Sequence, residues 1–186
     1  MKSGMKFKRD PNAMLNQLLK LPEGVAIKQC LRRTDKKYLI GIDAGRHTGV
    51  CVISNETKQI KKIITIDFWR AFFMVVQEFK PDNCIIIVEA PKLNFGLFAK
   101  FDDDPNLTDQ QKGSVNRTRE KIARDIGGNG REAELFAEGV SLYGFEAISV
   151  RPKTKKLEQK EFEHLTGYKF TVSEHARDAA KLCIEV

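Results

Sequence analysis

Residues 83–89 read Asn-Cys-Ile-Ile-Ile-Val-Glu, a near-continuous apolar run that follows Pro81 and closes on a charged residue. A short run without polar alternation is typical of a central strand that is covered on both faces. A strand of this kind needs helices above and below its sheet. The run therefore favours a chain of the α/β class.

The other patterns predict strands and helices that alternate along the chain. Two apolar runs around a glycine-containing turn predict an antiparallel hairpin, and a third strand follows it. Residues 91–113 have no clear period and are predicted to form a loop, and the Gly127–Gly130 stretch is predicted to be a break. We therefore expect an α/β fold with a mixed five-stranded sheet, three antiparallel strands followed by parallel strands, flanked by helices. The predicted strands are 37–43, 49–54, 60–66, 83–89 and 147–150, and the predicted helices are 69–79, 131–143, 155–165 and 173–184.

Charged or metal-capable residues stand at the ends of three of these elements. Asp43 closes the first strand, Glu89 closes the central strand, and His175 and Asp178 lie three residues apart on the last helix. Isolated buried charges are costly, and two carboxylates about 4 Å apart repel by roughly 4 kcal/mol at an effective dielectric near 20. A divalent cation converts that repulsion into coordination. The four residues predict a metal-dependent nuclease site, with Glu174 as an alternative to His175.

The motifs around these residues resemble the RuvC-like branch of the ribonuclease-H-like nucleases, which contains the Holliday junction resolvases, many of them encoded by phages and prophages. The resemblance covers about residues 38–185 in order and spacing. Its first motif is Asp43 with Gly45, Thr48 and Gly49, and its second is Glu89. Its last is His175, Asp178 and Ala179, and Pro152 with Lys156 matches a segment between them. Ala44 departs from the family, which often has proline there, and the first 37 residues have no counterpart in the bacterial enzymes.

The resemblance implies a ribonuclease-H-like fold and a Mg²⁺-dependent endodeoxyribonuclease that resolves branched DNA. Two Mg²⁺ ions, with Mn²⁺ as a possible substitute, suit a donor set of three carboxylates and one imidazole. Asp43 is expected to bridge both ions, Glu89 to hold one and Asp178 the other, and His175 to bind metal or transfer protons. Gly45, Thr48 and Gly49 are expected to support the turn. A four-way junction needs two symmetric nicks, which predicts a homodimer.

The net charge of +7 lies entirely in residues 1–37, where ten Lys and Arg face three acidic residues. This segment is predicted to be a basic extension with a short amphipathic helix in residues 10–21, of which Asp10 is the N-cap, followed by a nuclease domain at 38–186. A polyanionic partner is one interpretation of the excess charge, and a solvated tail is the other. Further candidates for DNA contact, each of which could equally be a solvated surface residue, are Lys92, Arg117, Arg119, Lys153, Lys155 and Lys156.

Four widely spaced cysteines without a CxxC pair predict reduced core thiols rather than disulfides or zinc ligands. No apolar run approaches the ~20 residues of a membrane span, and a cytoplasmic protein is expected. Three other functions remain open. They are a ribonuclease-H-like nuclease acting on RNA–DNA hybrids or flaps, a non-catalytic DNA-binding module, and an actin-like ATPase. The last is suggested by Asp-x-Gly-x-x-Thr-Gly at a hairpin but disfavoured by the length of the chain.

Overall fold

The computed structural model describes residue 27 and residues 31–90, 108–152 and 156–184, without the side chains of residues 109 and 111–126. Five strands form one mixed sheet: β1 (Tyr38–Asp43), β2 (His47–Ser54), β3 (Ile60–Asp67), β4 (Cys84–Glu89) and β5 (Glu146–Val150). Their spatial order is β3-β2-β1-β4-β5. Strands β1, β2 and β3 pair antiparallel, whereas β4 runs parallel to both β1 and β5. The predicted α/β fold with its mixed five-stranded sheet is confirmed.

Helices cover both faces of the sheet in the described residues. They are α1 (Phe68–Glu78), α2 (Asp109–Leu142), α3 (Gln159–Thr166) and α4 (Glu174–Cys183). Alternate residues of β4 divide between the two layers. Ile85 and Ile87 join the core beneath α3 and α4, whereas Ile86 and Val88 join the core beneath α1 and α2. The apolar run of β4 is therefore explained by burial on both faces.

Helix α2 is longer than predicted. It runs unbroken from Asp109 to Leu142, so residues 109–113 are helical instead of belonging to the predicted loop, and the predicted break at Gly127–Gly130 is wrong. A β-carbon placed at Gly127 or Gly128 would meet no atom within 4 Å. Glycine costs only about 1 kcal/mol in a helix interior, and the C-terminal part of α2 buries Phe136 and Val140 in the core. That packing outweighs the local preference of the glycines.

The described part of the N-terminal segment is fastened to the core. The Ile27 backbone N–H donates to the Lys58 carbonyl over 2.7 Å, and Leu31 forms an isolated antiparallel bridge with Ile184 after α4. The predicted amphipathic helix lies outside the described residues, and the division at residues 37 and 38 stays a prediction.

The described cysteines are Cys51, Cys84 and Cys183, and all three are free and buried. This confirms core thiols at these positions, while Cys30 lies outside the described residues. None of the helices in the described segments combines the length and the apolar character that a bilayer crossing requires.

Candidate active site

Parallel pairing brings the two strand-end carboxylates together. In the pairing of β1 with β4, Ile42 stands opposite Val88, so the next residues along, Asp43 and Glu89, leave the sheet side by side at the same edge. The two carboxyl groups share a hydrogen bond. The side chain of Asp43 is 16% exposed, which places this pair at a partly buried end of the sheet.

Two glycines seat helix α4 directly on the strand backbones. A β-carbon at Gly41 would lie 1.9 Å from the Ala179 carbonyl oxygen, and one at Gly49 would lie 2.0 Å from the His175 carbonyl oxygen. Since real β-carbons do not approach so closely, only glycine at both positions allows α4 to lie this near the sheet. The helix thereby brings its own functional side chains to the edge where Asp43 stands.

The first turn of α4 is fixed by its N-cap. The Ser173 hydroxyl accepts a hydrogen bond from the Ala176 N–H over 3.2 Å, as expected for a capping serine. The same hydroxyl contacts the hydroxyl of Thr65 on β3. The cap therefore ties the start of α4 to the sheet, two residues before His175.

His175 and Glu174 have different partners. The Nδ1 atom of His175 lies 2.7 Å from Oδ2 of Asp43, and the imidazole is about half exposed. Glu174 forms an ion pair with Lys156 instead. The geometry thus favours His175 over Glu174 as the fourth member of the site, and His175 contacts Asp43 rather than Asp178 on its own helix.

The pKa values of Glu89 and Asp178 are raised by burial and by neighbouring carboxylates. Burial, the charges of Asp43 and Asp178 and the hydrogen bond with Asp43 raise the pKa of Glu89 from an ordinary 4.5 to about 8, against a smaller lowering by Lys181. Burial and the charge of Asp43 likewise raise the pKa of Asp178, although Lys156, Lys181 and a backbone hydrogen bond from Leu157 act in the opposite direction. Both shifts favour the protonated acid in the metal-free protein.

Within the described residues, no group of three or more His, Cys, Asp or Glu side chains already stands in an arrangement that could hold a metal ion. The chemistry of the cluster nevertheless fits a divalent cation. Asp43, Glu89 and Asp178 are carboxylates, the ligands that Mg²⁺ prefers. A positive charge among them would replace the protons that burial and mutual repulsion now favour at Glu89 and Asp178.

The turn between β1 and β2 is braced by Thr48. Its fully buried hydroxyl donates to the Gly45 carbonyl over 2.6 Å, so the residue after Asp43 enters a closed turn. Gly49 lies within β2 opposite Asp43, and its place against the His175 backbone gives it a packing role beyond the turn. Gly45 lies near Asn129 and Glu132 of α2, two residues that the sequence reasoning did not single out.

Most of the predicted DNA-contacting residues cannot be placed. Lys92, Lys153 and Lys155 lie outside the described residues, and Arg117 and Arg119 belong to α2 without described side chains. Lys156 is exposed, pairs with Glu174 and lines a cavity beside Asp178.

Sequence reasoning also missed three residues near the site. Gly41 carried a signal, because a glycine inside an apolar strand often marks a close backbone approach. Arg32 carried none, because long-range packing brings it to the cavity beside Glu89 and Asp178. Lys181 lies three residues after Asp178 on the same helix, but its place in the cavity wall also depends on how α4 packs on the sheet.

Comparison of the chain with models of protein families found no match, and no curated protein matched it either. The site geometry and the motif resemblance therefore carry the functional proposal.

Proposed function

We propose that the protein is a metal-dependent, structure-selective DNA endonuclease that hydrolyses phosphodiester bonds in branched DNA, with four-way junctions as the leading substrate. One observation carries the proposal. Three carboxylates that are far apart in the chain, Asp43, Glu89 and Asp178, interact at one edge of the sheet. The charge of Asp43 raises the pKa of both other carboxyls, and the His175 imidazole is hydrogen-bonded to Asp43. An acidic cluster of this kind serves hydrolysis when divalent cations occupy it.

Each side chain has a distinct role in the proposed reaction. Asp43 is the common member, because it contacts both Glu89 and His175. Glu89 and Asp178 would each contribute a carboxylate to hold the cations. When bound, two Mg²⁺ ions would supply an activated water and neutralise charge on the phosphate.

His175 is suited to proton transfer. Its Nδ1 atom is engaged by Asp43, which orients the ring and leaves Nε2 as the nitrogen that can exchange a proton. Because the side chain is about half exposed, Nε2 can take a proton from water or return one to a leaving oxygen. A ligand role for the same nitrogen is the alternative, and it belongs to the same proposed site.

The branched substrate and a homodimer are the parts of the proposal that rest most on the motif resemblance. Two symmetric nicks require two active sites related by a two-fold axis. One described surface offers an interface. On α1, Trp69 is 61% exposed and Phe73 is 48% exposed, and their rings are in contact. Phe72 contacts both Phe73 and Tyr143, so Tyr143 belongs to the same group of rings. Neighbouring exposed aromatic rings are common where proteins associate.

The decisive experiment compares the protein with its Asp43→Asn and Asp82→Asn variants. Asp82 is exposed and lies before β4, at the end of that strand away from Glu89, so its variant serves as the matched control. Each protein is incubated with labelled four-way junctions, flaps, RNA–DNA hybrids and linear duplex, with Mg²⁺ or with EDTA. We expect Mg²⁺-dependent cleavage of the branched DNA by the protein and by the Asp82→Asn variant, and a loss of at least a hundredfold in Asp43→Asn.

Each alternative function has its own outcome in this assay. Preferred cleavage of hybrids or flaps would identify a different substrate but support the same metal-dependent hydrolysis. DNA binding without cleavage of any substrate would indicate a non-catalytic module, and ATP hydrolysis without DNA would favour an actin-like ATPase. Cleavage that is unaffected by Asp43→Asn would contradict the proposed site.

A further inference from the structure

A cavity of about 160 Å³ lies beside Glu89 and Asp178, and neither Asp43 nor His175 lines it. Its volume corresponds to the space of about five water molecules in the liquid, which is enough for a tetrahedral oxyanion. Basic side chains outnumber acidic ones in its wall by four to two. The lining residues are Arg32, Glu89, Val150, Arg151, Pro152, Lys156, Asp178, Lys181 and Leu182.

We propose that this cavity is a phosphate-binding subsite in which Arg32 and Lys181 hold a phosphate of the nucleic-acid strand next to the bond that is cleaved. The identity of the strand rests on the proposed function, whereas the affinity for a phosphate group does not. The apolar wall formed by Val150, Pro152 and Leu182 lowers the local polarity and strengthens attraction between a phosphate and the basic side chains.

The guanidinium of Arg32 is held in position by the end of helix α4. Its Nε atom donates to the Leu182 carbonyl over 3.2 Å, and its backbone N–H donates to the Cys183 carbonyl over 3.0 Å. Among the described residues, the Leu182 carbonyl is the one acceptor that the guanidinium contacts, so its two terminal nitrogens can serve a ligand. A half-buried arginine held through Nε is well suited to a phosphate, because the remaining N–H groups match two of its oxygens.

Lys181 places a second positive charge at the same cavity. It lies three residues after Asp178 on α4, which puts the two on neighbouring positions of one helix face. Its charge acts on the carboxyls of both Glu89 and Asp178, which line the same cavity. A phosphate held by Arg32 and Lys181 would therefore lie next to two of the carboxylates of the proposed site.

This subsite gives the N-terminal segment a place in the active site. The chain is fixed on either side of residues 28–30. Ile27 is hydrogen-bonded to Lys58, and Leu31 forms a bridge with Ile184. Arg32 therefore reaches the cavity from a segment whose surplus of positive charge the nuclease site alone does not explain.

The test uses the full chain carrying Asp43→Asn, so that DNA is bound without being cut. Arg32→Gln and Arg33→Gln are introduced separately. Arg33 is exposed and does not line the cavity, so it controls for the loss of one positive charge from the segment. Affinity for a four-way junction and for a single-stranded oligonucleotide is measured by fluorescence anisotropy from about 50 to 200 mM salt.

We expect Arg32→Gln to weaken DNA binding about tenfold and to reduce the slope of log K against log salt by about 1. Arg33→Gln should reduce log K by less than half as much. Arg32→Lys should recover only part of the affinity, because lysine keeps the charge but lacks the Nε donor to Leu182 and the paired N–H groups. Equal losses in Arg32→Gln and Arg33→Gln would overturn the subsite, because they would reflect general charge alone. Lys181→Gln is a second variant that preserves the test if Arg32→Gln does not fold.

Inorganic phosphate and a 5′-phosphorylated mononucleotide distinguish a free phosphate from a strand as the ligand. Their binding to the unmodified protein is followed by ³¹P NMR line broadening. Broadening that Arg32→Gln abolishes supports the subsite even if no nucleic acid is cleaved, in which case the nuclease proposal alone fails. Conversely, normal cleavage with no Arg32-dependent binding of phosphate or DNA overturns the subsite and leaves the nuclease proposal standing.

Discussion

Replacing Glu89 by Gln should stabilise the metal-free protein at alkaline pH. The pKa of Glu89 rises from 4.5 to about 8 on folding, so the folded state binds its proton more tightly than the unfolded state does. Stability therefore falls as pH rises from about 4.5 through about 8. The shift sets a ceiling near 5 kcal/mol for this loss. Because the carboxyl is only partly buried and its neighbours relax, we expect about 2 kcal/mol.

Glutamine keeps the shape and a hydrogen-bond donor but cannot ionise. Thermal unfolding in EDTA should therefore show equal melting temperatures near pH 4.5, and a gain of about 4–8 °C for Glu89→Gln at pH 8. The control is Glu138→Gln, which alters an exposed carboxylate on α2 and should show no pH-dependent gain. Equal stability of Glu89→Gln and the unmodified protein at pH 8 would refute the reasoning about the carboxylate cluster.

Adding Mg²⁺ should make the unmodified protein more stable than the Glu89→Gln variant. A cation that replaces the proton stabilises the unmodified protein by binding only to the folded state, and Glu89→Gln lacks one of its ligands. Mg²⁺ affinity should also increase with pH up to about 8, because Glu89 must release its proton before it can bind the ion. Isothermal titration calorimetry at pH 6 and at pH 8 measures this dependence directly. If affinity were independent of pH, Glu89 would not be a ligand.

Two further predictions concern packing and assembly. Gly49→Ala should lower the free energy of unfolding by about 3 kcal/mol or more and abolish cleavage, because the new methyl group would lie 2.0 Å from the His175 carbonyl oxygen. Gly45→Ala should be tolerated, because the atom nearest to its methyl group would be 3.7 Å away. Equal melting temperatures of the two variants would contradict the close seating of α4. Trp69→Glu places a charge at a side chain that is 61% exposed. It should convert the proposed dimer to a monomer in light scattering, and single nicks should replace paired nicks in a four-way junction. An unchanged mass would exclude this surface as the interface.

The sheet and the Asp43–Glu89 pair were predictable because both follow from local patterns. Apolar runs locate the strands, and parallel strands end at the same edge of a sheet, so carboxylates at the ends of neighbouring strands come together. The partner of His175 was not predictable. Helical spacing places it near Asp178, but the seating of α4 on Gly49 turns it toward Asp43 instead.

Features that depend on long-range packing could not be predicted from the sequence. Gly127 and Gly128 suggested a break, yet α2 continues through them because its later turns bury Phe136 in the core. Arg32 looked like one of many basic residues in its segment, and only the bridge between Leu31 and Ile184 brings it to the cavity. Local preferences cannot report a contact such as that of Arg32 with Leu182, which lie 150 positions apart.

The glycine seat beneath α4 also limits how the site can move. Beside Gly41 and Gly49 the nearest atoms of α4 are the backbone carbonyl oxygens of Ala179 and His175, so the helix and strand backbones are in direct contact there. We expect α4 to stay in contact or to lift away as a whole, and lifting would remove His175 and Asp178 together. The amides of α4 should then exchange hydrogen as one cooperative unit. The two side chains that this helix contributes to the proposed site would then be present or absent together.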